Sequence, residues 1–141
     1  MGNGAFLYAD SGAGGVNVVQ TGCGGFFEPL ITLSGAPIIG SHVQALVLGS
    51  GSPLIVLGHV SAVPVPLCPT SGGCQLGAFP FIQLFATNTK TFQIPLDATL
   101  VGQKAALQGV RTNPLTTGPV CGPPEYPFPF RTSDTLVLTF Q

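Results

Sequence analysis

The chain has 141 residues, one domain's worth, and only 6% of them are charged, against about 25% in an ordinary soluble domain. A net charge of −1 gives a nucleic-acid binder no coulombic footing, and the 45% hydrophobic content excludes charge-rich disorder. Twenty Gly and 14 Pro argue against long helices, which leaves a turn-rich all-β domain with little charge on its surface.

Residues 1–22 form a Gly-rich N-terminal arm with two short β-prone patches. The first is Phe6, Leu7 and Tyr8, and the second holds Val16, Val18 and Val19. The arm is expected to pair, as an added strand, with the body or with a neighbouring subunit. Residues 23–141 are expected to form the β-sandwich itself. Strand signals at 30–33, 42–48 and 54–57 are separated by Gly, Pro and Ser. In 42–48, Val43, Ala45 and Val47 alternate with His42, Gln44 and Leu46, so the two sets face opposite ways. Residues 54–57 are continuously apolar, as in a strand covered on both faces. Val63-Pro64-Val65-Pro66 suits only an edge or an extended linker, because Pro lacks the ladder donor.

Further strands are expected at 79–87, with Phe81, Gln83 and Phe85 on one face and Ile82 and Leu84 on the other, and at 91–94. Residues 103–111 have some helix propensity, but Gly102 and Gly109 bound them too closely for a stable helix, and they read as strand. Residues 112–130 form a loop with six prolines. A last strand spans 135–140, with Leu136, Leu138 and Phe140 inward. The sum is an Ig-like or jelly-roll-type β-sandwich of about 7–8 strands with an extended N-terminal arm.

The four cysteines, Cys23, Cys68, Cys74 and Cys121, are an even number in Gly/Pro-rich surroundings, which reads as disulfides in an oxidising compartment. A Cys68–Cys74 bridge would close a tight loop and leave Cys23–Cys121 to tie the arm's end to the late loop. Three pairings are open. No signal peptide is legible in residues 1–4, and no apolar run reaches the length of a transmembrane helix.

The second half has a familiar pattern. Phe92-Gln93-Ile94-Pro95-Leu96-Asp97-Ala98-Thr99-Leu100-Val101-Gly102 resembles the phrase "IPNDPALVG" of a small Gly/Pro-rich module that closes many secreted bacterial repeat proteins. Gln108 matches the module's glutamine, Asn113-Pro114 stands where it has Asp-Pro, and 133–140 resembles its "SNALxLTI" ending. Thr21-Gly22-Cys23-Gly24-Gly25 is similar to its "GCPG" entry, and Gly73-Cys74-Gln75-Leu76 to its "GC-T-L" segment. The likeness covers roughly residues 20–141. It implies a secreted, disulfide-containing β-sandwich with a structural or attachment role and carries no catalytic motif. This chain adds an arm and a Pro-rich insertion, which suggests a subunit.

Chemistry-bearing residues are sparse. His42 and His59 lack the further ligands of a metal site, and no GxSxG elbow or paired carboxylates support hydrolysis. Asp97 is expected to accept a backbone hydrogen bond in the turn after Pro95. Tyr126, Phe128 and Phe130, spaced by prolines, form a candidate aromatic strip, either for contact with sugars or a partner or as a cap on the core. No enzyme and no cofactor are expected. The reading that best fits is an extracellular or cell-surface structural protein, a self-assembling subunit of a filament, sheath or surface layer. Its partner is another copy of itself, joined by arm-to-neighbour strand addition. The alternatives are a module binding carbohydrate or a cell-surface partner, and a virion coat or decoration protein.

Overall fold

The computed structural model describes residues 15–23, 29–66, 75–112 and 130–141. Eight strands lie in them: β1 (Val16–Val19), β2 (Leu30–Ser34), β3 (His42–Leu48), β4 (Ser52–Pro66), β5 (Gln75–Phe85), β6 (Thr89–Gln93), β7 (Lys104–Thr112) and β8 (Phe130–Thr139). One 3-10 turn, Ala98–Leu100, precedes β7. The strands make two antiparallel sheets, a five-stranded one in the order β1-β8-β7-β4-β5 and a three-stranded one in the order β2-β3-β6. The chain is an all-β, sandwich-like fold.

The core between the sheets follows from two-residue alternation. Ile31 comes from β2, and Val43, Ala45 and Val47 from β3. Ile55, Leu107, Leu136 and Leu138 meet them from the large sheet, and Ile94 closes one end. At roughly 1.5–3 kcal/mol per fully buried aliphatic side chain, this cluster is the main driving force for the fold. Phe85 of β5 and Phe92 of β6 pack edge to face against it, 5.4 Å between ring centres.

The large sheet is buried on its outer face as well. Val56, Ala78, Ala106 and Val110 form a second cluster there, with Leu54 and Phe130 against it. The cover is the long β4–β5 hairpin. Strand β4 pairs with β7 only as far as Gly58, and from Leu57 onward the β4–β5 register slips three times. The hairpin approaches itself closely at Gly58, where a Cβ would sit 2.8 Å from the carbonyl oxygens of Ala78 and Pro80. Gln75–Ala78 thereby pack over β7 and β8. Sequence alternation in 135–140 finds the inward Leu136 and Leu138, but Thr135 and Val137 on the opposite face are also buried, because the hairpin lies on them.

The expected boundaries shift where long-range pairing overrides the local signal. Residues 54–57 and 63–66 belong to one 15-residue strand. Its proline-containing end pairs only with β5, so it is an edge there, as the missing donors require. Strand β5 starts four residues before the expected 79. Strand β8 starts at Phe130, five residues before the expected 135, because 130–132 pair with 110–112 of β7. The segment expected as strand at 103–111 is strand β7, shifted by one residue to Lys104–Thr112, with Gly109 inside it.

Buried polar groups hold the outer layer. Gln108 is fully buried. Its Oε1 accepts from Gly77 N at 3.1 Å, and its Nε2 lies within donating distance of Gln75 O at 2.8 Å, Ser133 O at 2.9 Å and the Thr21 hydroxyl at 3.2 Å. The hydroxyls of Thr21 and Thr135 share a hydrogen bond of 2.6 Å. Gly22 N donates to the Asp134 carboxylate at 3.1 Å, and Cys23 N to Thr132 O at 3.1 Å. At the far end, the buried Arg111 guanidinium donates to Gly51 O at 2.8 Å and to Val47 O, holding the β3–β4 turn. Burial lowers the guanidinium pKa from its ordinary value.

Candidate assembly edge and inter-sheet cleft

Strand β5 is an outer edge of the large sheet among the described residues. Its sequence, QLGAFPFIQLF, carries no charged side chain. Phe79, Phe81, Ile82 and Leu84 are all 43–53% exposed. The slip in pairing between Leu57/Gln83 and Gly58/Phe81 leaves Ile82 as an extra residue, so strict alternation of faces fails at this point. Phe79 and Phe81 stand edge to face with ring centres 5.5 Å apart. An exposed, uncharged, apolar edge is the kind that natural sheets ordinarily block with lysine, proline or a covering element. Pro80 is the one such guard within β5.

Beside this edge the two sheets part to form a cleft of about 370 Å³. Leu57, Ile82, Phe92, Ala105, Leu138 and Phe140 supply apolar wall. Polar groups in the lining are His59, Gln93, Gln103 and Lys104, and no carboxylate is among the described lining residues. Lys104 opens β7 and is exposed. Pro95 and the Asp97-capped turn position this end: Thr99 N donates to Asp97 Oδ1 at 2.9 Å and the Thr99 hydroxyl donates to it at 2.7 Å. These two bonds hold the Asp97 carboxyl below the ordinary carboxylate range. The expected role of Asp97 as a turn acceptor is what the structure has.

The residues singled out from sequence fall in different places. Val16, Val18 and Val19 form β1, which pairs with β8 of the same chain, Val16 opposite Leu138 and Val19 opposite Thr135. Val16 and Val18 pack on the core, and Val19 is exposed. The second half of the arm is thus a strand of the body's own sheet. Phe6, Leu7 and Tyr8 lie outside the described residues, as do Cys68, Cys74, Cys121, Tyr126 and Phe128. Phe130 begins β8 and packs against the outer cluster. Cys23 is buried and disulfide-bonded, and its partner lies outside the described residues. Its sulfur also accepts from Thr132 N at 3.1 Å.

Among the described residues no three His, Cys, Asp or Glu side chains gather as metal ligands. No described helix is long and apolar enough to cross a membrane. The sequence reading overlooked the cleft and the exposed edge. The signal for the edge was present, since Phe81-Ile82 and Leu84-Phe85 place apolar neighbours on both faces of a strand without a charge. The cleft could not be read, because it joins segments from β3 to β8.

No family model matches the chain, and no match was found among the curated proteins or the solved structures.

Proposed function

We propose that this chain is a non-enzymatic structural subunit that assembles with copies of itself outside the cell, in a filament, sheath or surface layer. The observation that carries the reading is the β5 edge, with Phe79, Phe81, Ile82 and Leu84 exposed and no charge on the strand. A strand added there would complete the open ladder and cover apolar surface in one step. The low charge of the whole chain supports the reading, because copies repel one another little. The disulfide at Cys23 and the pattern likeness to a secreted bacterial module favour the extracellular setting.

Negative-stain microscopy and light scattering of the purified, non-reduced protein test this. Regular polymers are expected for the native chain, and Ile82→Lys with Leu84→Lys should leave folded single copies. Monodisperse particles of one copy at high concentration would overturn the reading. They would favour a carbohydrate-binding module, for which the exposed Phe79–Phe81 pair offers ring surface for stacking on sugars.

A further inference from the structure

We infer that the inter-sheet cleft beside β5 is a binding site for an unbranched acyl carboxylate, its chain between the two sheets and its head group at Lys104. The site is distinct from the assembly contact, although Ile82 belongs to both.

The cleft is open because the large sheet loses a strand there. Strand β4 pairs with β7 as far as Gly58 opposite Ala106, so at Lys104 and Ala105 the ladder partner is β8 alone. Ala105, opposite Leu138, brings only a methyl group to the lining and leaves the space unfilled. The walls need not move to admit a ligand. Phe92 is held edge to face on Phe85. Phe140 N donates to Gln103 O at 2.9 Å, and Gly102 N donates to Phe140 O at 2.8 Å. A preformed apolar site loses little affinity to ordering.

Shape selects a single chain. Facing sheets lie about 10 Å apart, the thickness of one interdigitated layer of side chains. An unbranched chain has the girth of the side chains it would replace, whereas a fused ring system would force the sheets apart. A cavity of about 150 Å³ holds benzene, so the cleft of about 370 Å³ has room for roughly 10–14 chain carbons.

Charge selects the head group. Alternation along β7 sends Ala105 and Leu107 inward and Lys104 to the other side, so this exposed lining residue places its ammonium at the mouth and not among the apolar side chains. The side chains of Lys104 and His59 have no hydrogen-bond or ion-pair partner among the described residues. No carboxylate lies in the described lining, and Asp97, on the neighbouring turn, already accepts two bonds from Thr99. The backbone adds a donor. Gln103 O accepts from Phe140 N, so Gln103 turns its peptide groups toward β8 and Lys104 turns its own to the other side, where β4 has ceased to pair. A carboxylate at the mouth therefore meets an ammonium and an open N–H together, whereas a cationic head group would find no counter-charge.

Equilibrium dialysis of the native protein against unbranched carboxylates of about 6 to 14 carbons, each with the alcohol of equal length, tests this. Affinity is expected to rise about fourfold with each methylene until the cleft is full, and then to level off. The alcohol should bind about fivefold more weakly than the carboxylate, and Lys104→Met, at an exposed position, should abolish that difference without changing alcohol binding. Ala105→Leu narrows the cleft and should make the affinity level off at a shorter chain. No saturable binding, affinity that climbs through the whole series, or equal affinity for carboxylate and alcohol would overturn the inference. Binding that appears only after residues 1–14 are deleted, a cut that spares all eight described strands, would mean that the chain's own segment fills the cleft, and overturns it as well. Polymers that disperse as the carboxylate binds would assign the cleft to the contact between copies instead.

Discussion

The side-chain amide of Gln108 lies 3.2 Å from the hydroxyl of Thr21, and both residues are fully buried. This contact joins the end of the arm to the middle of β7, and the same amide serves Gln75 and Ser133. Replacing Gln108 by Leu keeps the volume approximately but leaves Gly77 N without its side-chain acceptor and strips a donor from Gln75 O. An unsatisfied buried group costs roughly 1–3 kcal/mol, so Gln108→Leu should lower stability by about 2–5 kcal/mol. Urea unfolding of the variant beside the native protein measures it. An unchanged midpoint would mean that water or a rearranged hairpin satisfies these groups.

The same relationship bears on how the arm is cut. Deleting residues 1–22 removes β1, Thr21 and Gly22 together, and so exposes the β8 edge and breaks the Gln108 network. That deletion is expected to destabilise the domain, whereas deletion of residues 1–14 is expected to change its unfolding midpoint little. Thermal unfolding of the two truncated chains separates the cases. Equal midpoints would show that β1 adds nothing measurable to the large sheet.

Gly77 packs on Thr135, and a Cβ at position 77 would fall inside the van der Waals envelope of the Thr135 side chain. Gly77→Ala must therefore lift the hairpin from β8, at a cost of about 1–3 kcal/mol by the usual scale of overpacking. Thr135→Ala removes the nearest atom, Oγ1, but leaves the Thr135 Cβ position 2.8 Å from the added carbon. Rescue by this second change should accordingly be partial once the stability of Thr135→Ala alone is allowed for. The interaction energy from a double-mutant cycle is the readout, and strict additivity would show that the two residues do not touch in solution.

Residues with a short-range signature were legible in the sequence. The alternation of Val43, Ala45 and Val47 identified the core face of β3, and the apolar run 54–57 identified a strand covered on both sides, with Ile55 in one cluster and Val56 in the other. Gln108 stood out only through its pattern likeness. Nothing local says that a glutamine in a strand will be fully buried, because its partners come from 21, 75, 77 and 133. The first half of β8 was missed for a similar reason. Arg131, Thr132, Ser133 and Asp134 look like a polar loop, yet all four are buried: β7 pairs with 131 and 132, Gly109 N donates to the Ser133 hydroxyl, and the segment 21–23 bonds to 132 and 134. The bend of the β4–β5 hairpin depends on register slips, which no periodicity reveals.

Cys23 is expected to be refractory to alkylation until the protein is both unfolded and reduced, since it is buried and disulfide-bonded. The spacing of the cysteines favours Cys23–Cys121 with Cys68–Cys74, and peptide mapping without reduction would recover those two linked pairs. A peptide joining Cys23 to Cys74 or Cys68 would replace that pairing. Reduction should cost about 2–5 kcal/mol, as for other small disulfide-linked domains. Equal urea midpoints with and without reductant would mean that the hydrogen bonds of Thr132 to Cys23 hold this corner unaided.

Asp97 offers a pH-dependent contribution whose sign can be worked out. Its Oδ1 accepts from the Thr99 hydroxyl and the Thr99 amide, and both bonds favour the ionised carboxylate. The folded-state pKa is therefore lowered from its ordinary value. The unfolded chain takes up the proton first as pH falls, so the contribution is fully present above the unfolded value, near 4, and is lost as pH drops through the folded one. Asp97→Asn keeps the shape and removes the charge. Its stability deficit relative to the native chain should be constant from about pH 6 to pH 5 and shrink as the pH falls below the unfolded value, near 4, and on through the lower folded one. The carboxylate is fully exposed, so added salt should diminish the deficit at neutral pH. A deficit that persists unchanged as the pH falls well below the unfolded value would mean that Asn fails as a cap for reasons of geometry, and that the charge on Asp97 does not stabilise the turn.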